Sequence, residues 1–254
     1  MEIGMNLPDF ESLIRISGIC RGTLLDPASV QGLAERLGVD IDTARRIVWL
    51  AGARPEPAAA VILIGGRSKR MGTDKASMIL DGIPAASRLY FRLTRCFDHV
   101  FFSAAPGQKS PVEGAHCVYD TIEDKGPISG LASALRASPY RVNFVIACDI
   151  PEIDPVLIRN LLACMIDYEI AVPCFSPGRM EPLFAVYDKA VASTAERLLR
   201  ENSLKLLSIY DHHRLVVVPA TDAEWYHNLN TPDDVQNYIG ETPLLIESTE
   251  VDRT

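Results

Sequence analysis

The sequence predicts a doubly wound α/β fold with a mostly parallel sheet, preceded by a small N-terminal helical domain, on three observations. From Ala58 onward, short runs that are apolar on both faces alternate with helical stretches. Strands covered by helices on both sides read as such continuous runs. Glycines and acids follow the runs directly, as expected where ligands bind beyond the carboxyl ends of parallel strands. Residues 1–52, by contrast, read as helical, and the two prolines of Ala53-Arg54-Pro55-Glu56-Pro57 end that pattern.

The predicted strands are residues 58–64, 100–103, 116–119, 142–148, 169–173, 183–187 and 215–219. Between them lie helix-start signals. Asp154-Pro155 puts a capping residue before a proline at the first helical position. Thr231-Pro232-Asp233-Asp234 does the same and sets two carboxylates at the positive end of the helix dipole. The expected organisation is a helical domain over 1–52, a linker over 53–57, a main domain over 58–240 and a polar, acidic tail over 241–254 that frays.

Composition narrows the classes of function. A net charge of −8 on 254 residues repels phosphate backbones and anionic lipid, so a polyanionic ligand must be held locally by a few cations, backbone amides or a metal ion. No apolar run reaches the length of a membrane span, and the N-terminus lacks a basic stretch followed by an apolar one. Cysteines at 20, 96, 117, 148, 164 and 174 form no Cys-x-x-Cys pair and sit mostly in apolar runs. They read as small core residues in a reducing cytoplasm.

The first predicted strand ends in Leu63-Ile64-Gly65-Gly66, followed by Arg67-Ser68-Lys69-Arg70-Met71-Gly72-Thr73-Asp74-Lys75. Paired glycines let the backbone turn sharply and bring bare amides to a phosphate. Arg67, Lys69, Arg70 and Lys75 then supply cations, each charge-assisted contact worth about 1.5–3 kcal/mol. The string matches neither the Walker pattern nor the Gly-x-Gly-x-x-Gly dinucleotide fingerprint. A second feature is Asp149, which closes the run Val142-Asn143-Phe144-Val145-Ile146-Ala147-Cys148. A carboxylate at the carboxyl end of a central strand faces the ligand crevice, and Mg²⁺ is held by one or two carboxylates together with substrate phosphates. Asp149 is the candidate metal ligand.

Leu-x-Gly-Gly with Arg70-Met71-Gly72-x-Asp74-Lys75 behind it resembles the signature of the molybdenum cofactor guanylyltransferases. So do Gly126-Pro127-Ile128-Ser129-Gly130-Leu131, Glu181-Pro182 and Asn228-Leu229-Asn230-Thr231-Pro232-Asp233, in family order over residues 58–240. The resemblance implies a Rossmann-like nucleotidyltransferase that uses Mg²⁺ and moves GMP from GTP to the terminal phosphate of molybdopterin. It implies catalytic roles for Arg70, Lys75 and Asp149. Nucleotide contacts fall to Leu63, Ile64, Gly65, Gly66, Lys75, Ser103, Asp120 and Asp149, and acceptor contacts to Arg179, Glu181, Asn228 and Asn230. Protein partners in cofactor synthesis or delivery are implied in turn. Ser129 is expected to cap the helix after Gly126-Pro127. Relatives that use CTP more often begin Leu-Ala-Ala-Gly, so Gly65 in place of alanine predicts room for a purine. Two departures stand out: Ile64 replaces an alanine, predicting crowding of the nucleotide, and Phe102-Ser103-Ala104-Ala105-Pro106 lacks the usual asparagines. CTP as the nucleotide, another phosphate acceptor, and a non-catalytic nucleotide sensor stay open as alternatives.

Within residues 1–52, Val30–Asp40 followed by Thr43–Val48 looks like a helix-turn-helix, with Ala34 four residues before Gly38. Residues 1–55 nevertheless carry six arginines against seven acids, a net −1, whereas DNA-binding modules show a basic excess. An interaction or dimerisation domain is the favoured reading.

Overall fold

The computed structural model describes residues 34–35, 38–40, 44, 58–65, 78–80, 82–97, 99–123, 125–176, 178–220 and 225–241. The linker over 53–57, the loop carrying Gly66, Arg70 and Lys75, and the tail beyond Glu241 lie outside the described residues. Of the N-terminal segment, Ala34 and Ala44 are buried. Gly38 takes φ +64°, and the Val39 N–H donates to the Ala34 C=O at 3.1 Å, a helix end closed at glycine. Whether a helix-turn-helix surrounds them lies outside the described residues.

The main domain follows the order β1 (Ala58–Leu63), β2 (Ile79–Leu80), β3 (Ile83–Pro84), α1 (Ala85–Leu93), β4 (His99–Ala104) and β5 (Cys117–Tyr119). It continues with α2 (Pro127–Ala137), β6 (Val142–Ala147), α3 (Pro155–Ala163), β7 (Ile170–Ser176), β8 (Arg179–Met180) and β9 (Phe184–Asp188). Last come α4 (Val191–Arg200), β10 (Leu215–Pro219) and α5 (Pro232–Glu241). The sheet order is β10-β7-β9-β6-β1-β4-β5, with β8 on β7, while β2 and β3 form a separate hairpin. The pairs β1–β4, β1–β6, β4–β5 and β7–β10 are parallel. β9 runs antiparallel to both β6 and β7, and the short β8 runs antiparallel to β7. Only residues 177–183, including β8, separate β7 from β9, too few for the crossover that parallel neighbours need.

Two helix layers cover the sheet, and β1 shows how the sequence sorts itself between them. Ala60, Ile62 and Ile64 point into a core with Leu89 and Leu93 of α1, Ile158 and Leu161 of α3, Phe102, Phe144 and Phe184. Ala59, Val61 and Leu63 point to the other face, against Ile128, Leu131 and Leu135 of α2 and Leu198 and Leu199 of α4. The period of two along an all-apolar strand is what a sheet buried on both sides requires.

Two helix starts follow the predicted chemistry and one does not. Pro232 opens α5; the Asp234 N–H donates to Thr231 Oγ1 at 3.2 Å, and Asp234 Oδ2 accepts from the Thr231 N–H at 2.8 Å, a reciprocal capping box. Pro155 opens α3 as expected. At α2, however, Ser129 is not the cap: the helix begins at Pro127 after Gly126, whose φ is +70°, and Ser129 Oγ donates back to the Ile122 C=O at 2.7 Å. The reason is register, since Ser129 lies two residues inside the helix. Cys96, Cys117, Cys148, Cys164 and Cys174 are free thiols. No helix among the described residues is long and apolar enough to cross a membrane.

Candidate active site

Three parallel strands bring their carboxyl ends into line. Leu63 of β1 pairs with Ser103 of β4 and with Ala147 of β6, so Gly65, Ala105 and Asp149 each stand two residues beyond a shared rung. The Ile64 and Gly65 N–H groups both donate to the Ser103 C=O, at 2.8 and 3.3 Å, and the Cys148 N–H donates to the Leu63 C=O at 3.1 Å. The parallel pairing thus continues past the strands and holds Asp149 beside the start of the glycine loop. This is the crevice expected at the carboxyl edge of such a sheet.

At the first strand end, the side chains of Leu63 and Ile64 are buried in opposite cores, leaving only backbone to meet a ligand. Ile64 is 1% exposed, so the crowding of a nucleotide predicted from its bulk does not arise. Gly65 also serves the packing of the strand ends. A Cβ there would lie 3.1 Å from the Ala105 nitrogen, so glycine is what lets the ends of β1 and β4 close on each other.

Ser103 and Asp120 meet beneath the same edge. Ser103 is buried; its Oγ donates to the Gly130 C=O at 3.2 Å and lies 3.4 Å from Asp120 Oδ1. Burial pushes the Asp120 carboxyl up to about 6, the hydrogen bond from Ser103 opposing the rise. Gly130 completes the packing: a Cβ would press on Ser103 Oγ at 3.0 Å and touch Asp120 Oδ1 at 3.5 Å, so glycine eases the approach of α2 to the strand ends. Asp120 is the more exposed of the pair, and the buried Ser103 hydrogen-bonds it from below.

Arg179, Glu181, Asn228 and Asn230 come together on the other side of Asp149. The Leu229 N–H donates to the Asp149 C=O at 2.8 Å, and the Ala147 N–H to the Leu183 C=O at 2.9 Å. These bonds anchor the segments that carry the four residues to the end of β6. Glu181 accepts from the Leu183 N–H at 3.1 Å and from the Tyr226 hydroxyl at 2.5 Å. Tyr226 stacks on Phe175 with ring centroids 4.0 Å apart, and the Arg179 guanidinium sits 5.6 Å from the Tyr226 centroid. Asn230 Nδ2 donates to Asn228 Oδ1 at 2.9 Å. The two asparagines therefore brace one another, using part of the polar edge that the sequence assigns to an acceptor. Burial, with Glu181 next, raises the Tyr226 phenol far above its ordinary value.

The structure adds residues that the sequence reading missed. Glu152, three residues past Asp149, takes a hydrogen bond from Arg88 at 2.9 Å and others from Arg92 and from the Tyr238 hydroxyl. It clamps the β6–α3 loop to α1 and α5. Burial works to raise its carboxyl, but Tyr238, Arg92 and Arg88 together outweigh it and the net shift is downward. Tyr226 and Phe175 had a faint signal in the aromatic pair Trp225-Tyr226 just ahead of Asn228. Glu152 had none, since its partners come from distant helices.

Chemically, the described residues offer a hard carboxylate oxygen at Asp149, a second carboxylate at Asp120, and a polar, aromatic wall around Arg179. No group of three His, Cys, Asp or Glu residues among them makes a closed metal cage. A half-buried carboxylate at an open strand end suits a hard cation shared with phosphate oxygens.

Known proteins point the same way. The model of the MobA-like NTP transferase domain matches residues 60–216. A Pelotomaculum thermopropionicum protein named "Probable molybdenum cofactor guanylyltransferase" is 34% identical over 185 residues, covering 70% of this chain and 90% of its own. A Mycobacterium avium protein of the same name is 32% identical over 187 residues, with 70% and 93% covered. Among solved structures, molybdopterin-guanine dinucleotide biosynthesis protein A from Archaeoglobus fulgidus superposes with a TM-score of 0.61 at 22% identity, over 72% of this chain and 97% of that one. 2-C-methyl-D-erythritol 4-phosphate cytidylyltransferase from Thermus thermophilus shares the fold with a TM-score of 0.55 at 16% identity, over 72% and 98%. With its register-aligned crevice and this extent of similarity, the protein belongs to the MobA-like NTP transferase family.

Proposed function

We propose that this protein transfers GMP from GTP to the terminal phosphate of molybdopterin, releasing pyrophosphate. The observation that carries the reading is the alignment of Gly65 and Asp149 beyond one rung of the parallel sheet, in a protein of this family. A nucleotide on the β1 side and an acceptor on the Arg179–Asn230 side would meet at Asp149.

An acceptor phosphate oxygen attacks the α-phosphorus in line, a P–O bond forms, and the bond to the pyrophosphate leaving group breaks. Such chemistry needs positioning and charge neutralisation, not a covalent intermediate on the protein. Gly66, assigned from sequence and outside the described residues, would present its backbone amide to the nucleotide, while Gly65, whose N–H is held by the Ser103 C=O, sets where the loop begins. Lys75 and Arg70, assigned from sequence and outside the described residues, offset phosphate charge. Asp120 is placed to accept from the donor edge of the base. Asp149 is the residue that would hold Mg²⁺, which when bound would neutralise charge building on the phosphate oxygens. Arg179, held against Tyr226, and Glu181 would orient the acceptor. Residues 1–52 are proposed to serve as a separate helical unit for protein contacts, such as a delivery partner for the pterin, in a cytoplasmic setting.

The test supplies purified protein with Mg²⁺, molybdopterin and each of GTP, CTP, ATP and UTP, and follows pyrophosphate release and the dinucleotide product by mass spectrometry. Turnover with GTP alone is expected. Equal turnover with CTP would remove the guanine assignment. Tight GTP binding with no pyrophosphate release would point to a nucleotide sensor instead.

A further inference from the structure

The end of β4, Ser103-Ala104-Ala105, offers the crevice no side chain longer than a hydroxyl. The backbone then turns through Pro106-Gly107. Gly107 takes φ +80°, and the Gln108 N–H donates to the Ala105 C=O at 3.0 Å. Proline followed by a glycine of positive φ is the type II arrangement, and it folds Gln108 back onto the strand end it has just left. There its amide is used from both sides. Oε1 accepts from the Ala105 N–H at 3.2 Å, and Nε2 donates to the Ile64 C=O at 3.1 Å. A single glutamine therefore clips the end of β4 to the end of β1, at the step where a Cβ on Gly65 would already press on the Ala105 nitrogen at 3.1 Å.

We propose that Gln108 is a positioning residue for the nucleotide: its amide fixes the direction of the Ile64–Gly65 peptide, from which the phosphate-holding loop departs, and so sets affinity and selectivity for GTP. The inference rests on the reading that this crevice takes GTP. It requires a group that donates and accepts at once, since the two contacts are a carbonyl and an N–H. An ionised carboxylate of the same length keeps the contact to Ala105 but sets a negative charge against the Ile64 carbonyl. A protonated carboxyl restores both contacts.

The experiment measures GTP binding, by displacement of a fluorescent GTP analogue, together with kcat and KM, for wild type, Gln108→Met and Gln108→Glu between pH 5 and 8. At pH 8 both variants should bind GTP about 5- to 30-fold more weakly, the range expected for one or two lost hydrogen bonds, with KM raised and kcat within about threefold. Preference for GTP over CTP should shrink in parallel. Referred to wild type at each pH, the Gln108→Glu defect should narrow as pH falls toward 5 and the carboxyl begins to protonate, while that of Gln108→Met stays. Affinities unchanged in both variants, or a defect in Gln108→Glu that ignores pH, overturn the positioning role while leaving the GTP reading intact. A wild-type protein that binds no GTP overturns both.

Discussion

The backbone N–H of Leu229 donates to the backbone carbonyl of Asp149 at 2.8 Å, joining the segment before α5 to the tip of β6. The bond fixes the backbone of Asp149 without engaging its carboxylate. A backbone bond survives a change of side chain, so this tie should persist when the carboxylate is altered. Asp149→Asn is expected to lower kcat by about 100-fold or more, a loss of roughly 3 kcal/mol in transition-state stabilisation, while the melting temperature moves by no more than a few degrees. Pyrophosphate release and a circular-dichroism melt check the two halves. Near-wild-type turnover would remove Asp149 from the metal role.

Asp120 carries a pH dependence whose direction follows from its raised value. Burial holds its carboxyl at about 6 in the folded protein, against an ordinary value of 3.8. The folded state thus binds a proton that the unfolded state has already lost between those values. This contribution is fully present below about pH 4 and disappears as pH rises through about 6. Asp120→Asn removes the slope, so the variant should gain on wild type by about 1 kcal/mol above pH 6, after allowing for the group's partial exposure. Urea denaturation at pH 4, 5, 6 and 7 reads this directly. The same variant should bind GTP less tightly, because the acceptor for the base is lost.

Tyr226 separates two effects that sit on one ring. Tyr226→Phe keeps the stack on Phe175 and under Arg179 but removes the hydrogen bond to Glu181. It should raise KM for the acceptor about 3- to 10-fold, as for one hydrogen bond to a charged group. Tyr226→Ala removes the stack as well and should cost more. KM for GTP should stay put in both. A rise in KM for GTP instead would place this wall on the nucleotide side.

Glu152 should matter to stability first. Replacing it with Ala leaves Arg88 and Arg92 facing each other and the Tyr238 hydroxyl without its acceptor, at a cost of about 2 kcal/mol for this partly buried cluster. Because its folded carboxyl lies below the ordinary value of 4.5, the wild-type contribution is present above that value and fades as pH falls through the lower folded one. Denaturant midpoints of wild type and variant should therefore differ strongly at pH 7 and draw together as pH is lowered below 4.5.

Much of this architecture was legible because apolarity alone marks a strand buried on two faces. β1, β4, β6 and β10 fall on the predicted runs to within a residue or so. The β2–β3 hairpin and β8 escaped, since two-residue strands leave no run to read. The reversed direction of β9 is encoded in the shortness of the connection before it, not in its own residues. In the site, Gly65 and Asp149 were legible because they follow strands in sequence. Gln108, Tyr226 and Glu152 were not, because a turn, a ring stack and two distant helices place them. Gly65 carries a packing reason that the sequence alone does not disclose: its close neighbour is the Ala105 backbone.

The reversed direction of β9 has a consequence for how such a protein can change. β5, β4, β1 and β6 form an uninterrupted parallel block whose tips carry the proposed GTP contacts. β7, β8 and β9, with residues 225–230, form the wall that would face the second substrate. The seam between the two halves is the β6–β9 ladder, and the acid at its edge, Asp149, would serve both under the proposed function. Drift in the hairpin around Arg179 can then retune the choice of acceptor while the GTP-handling half is left alone, so new specificities are reachable by changing one side of a divided workshop.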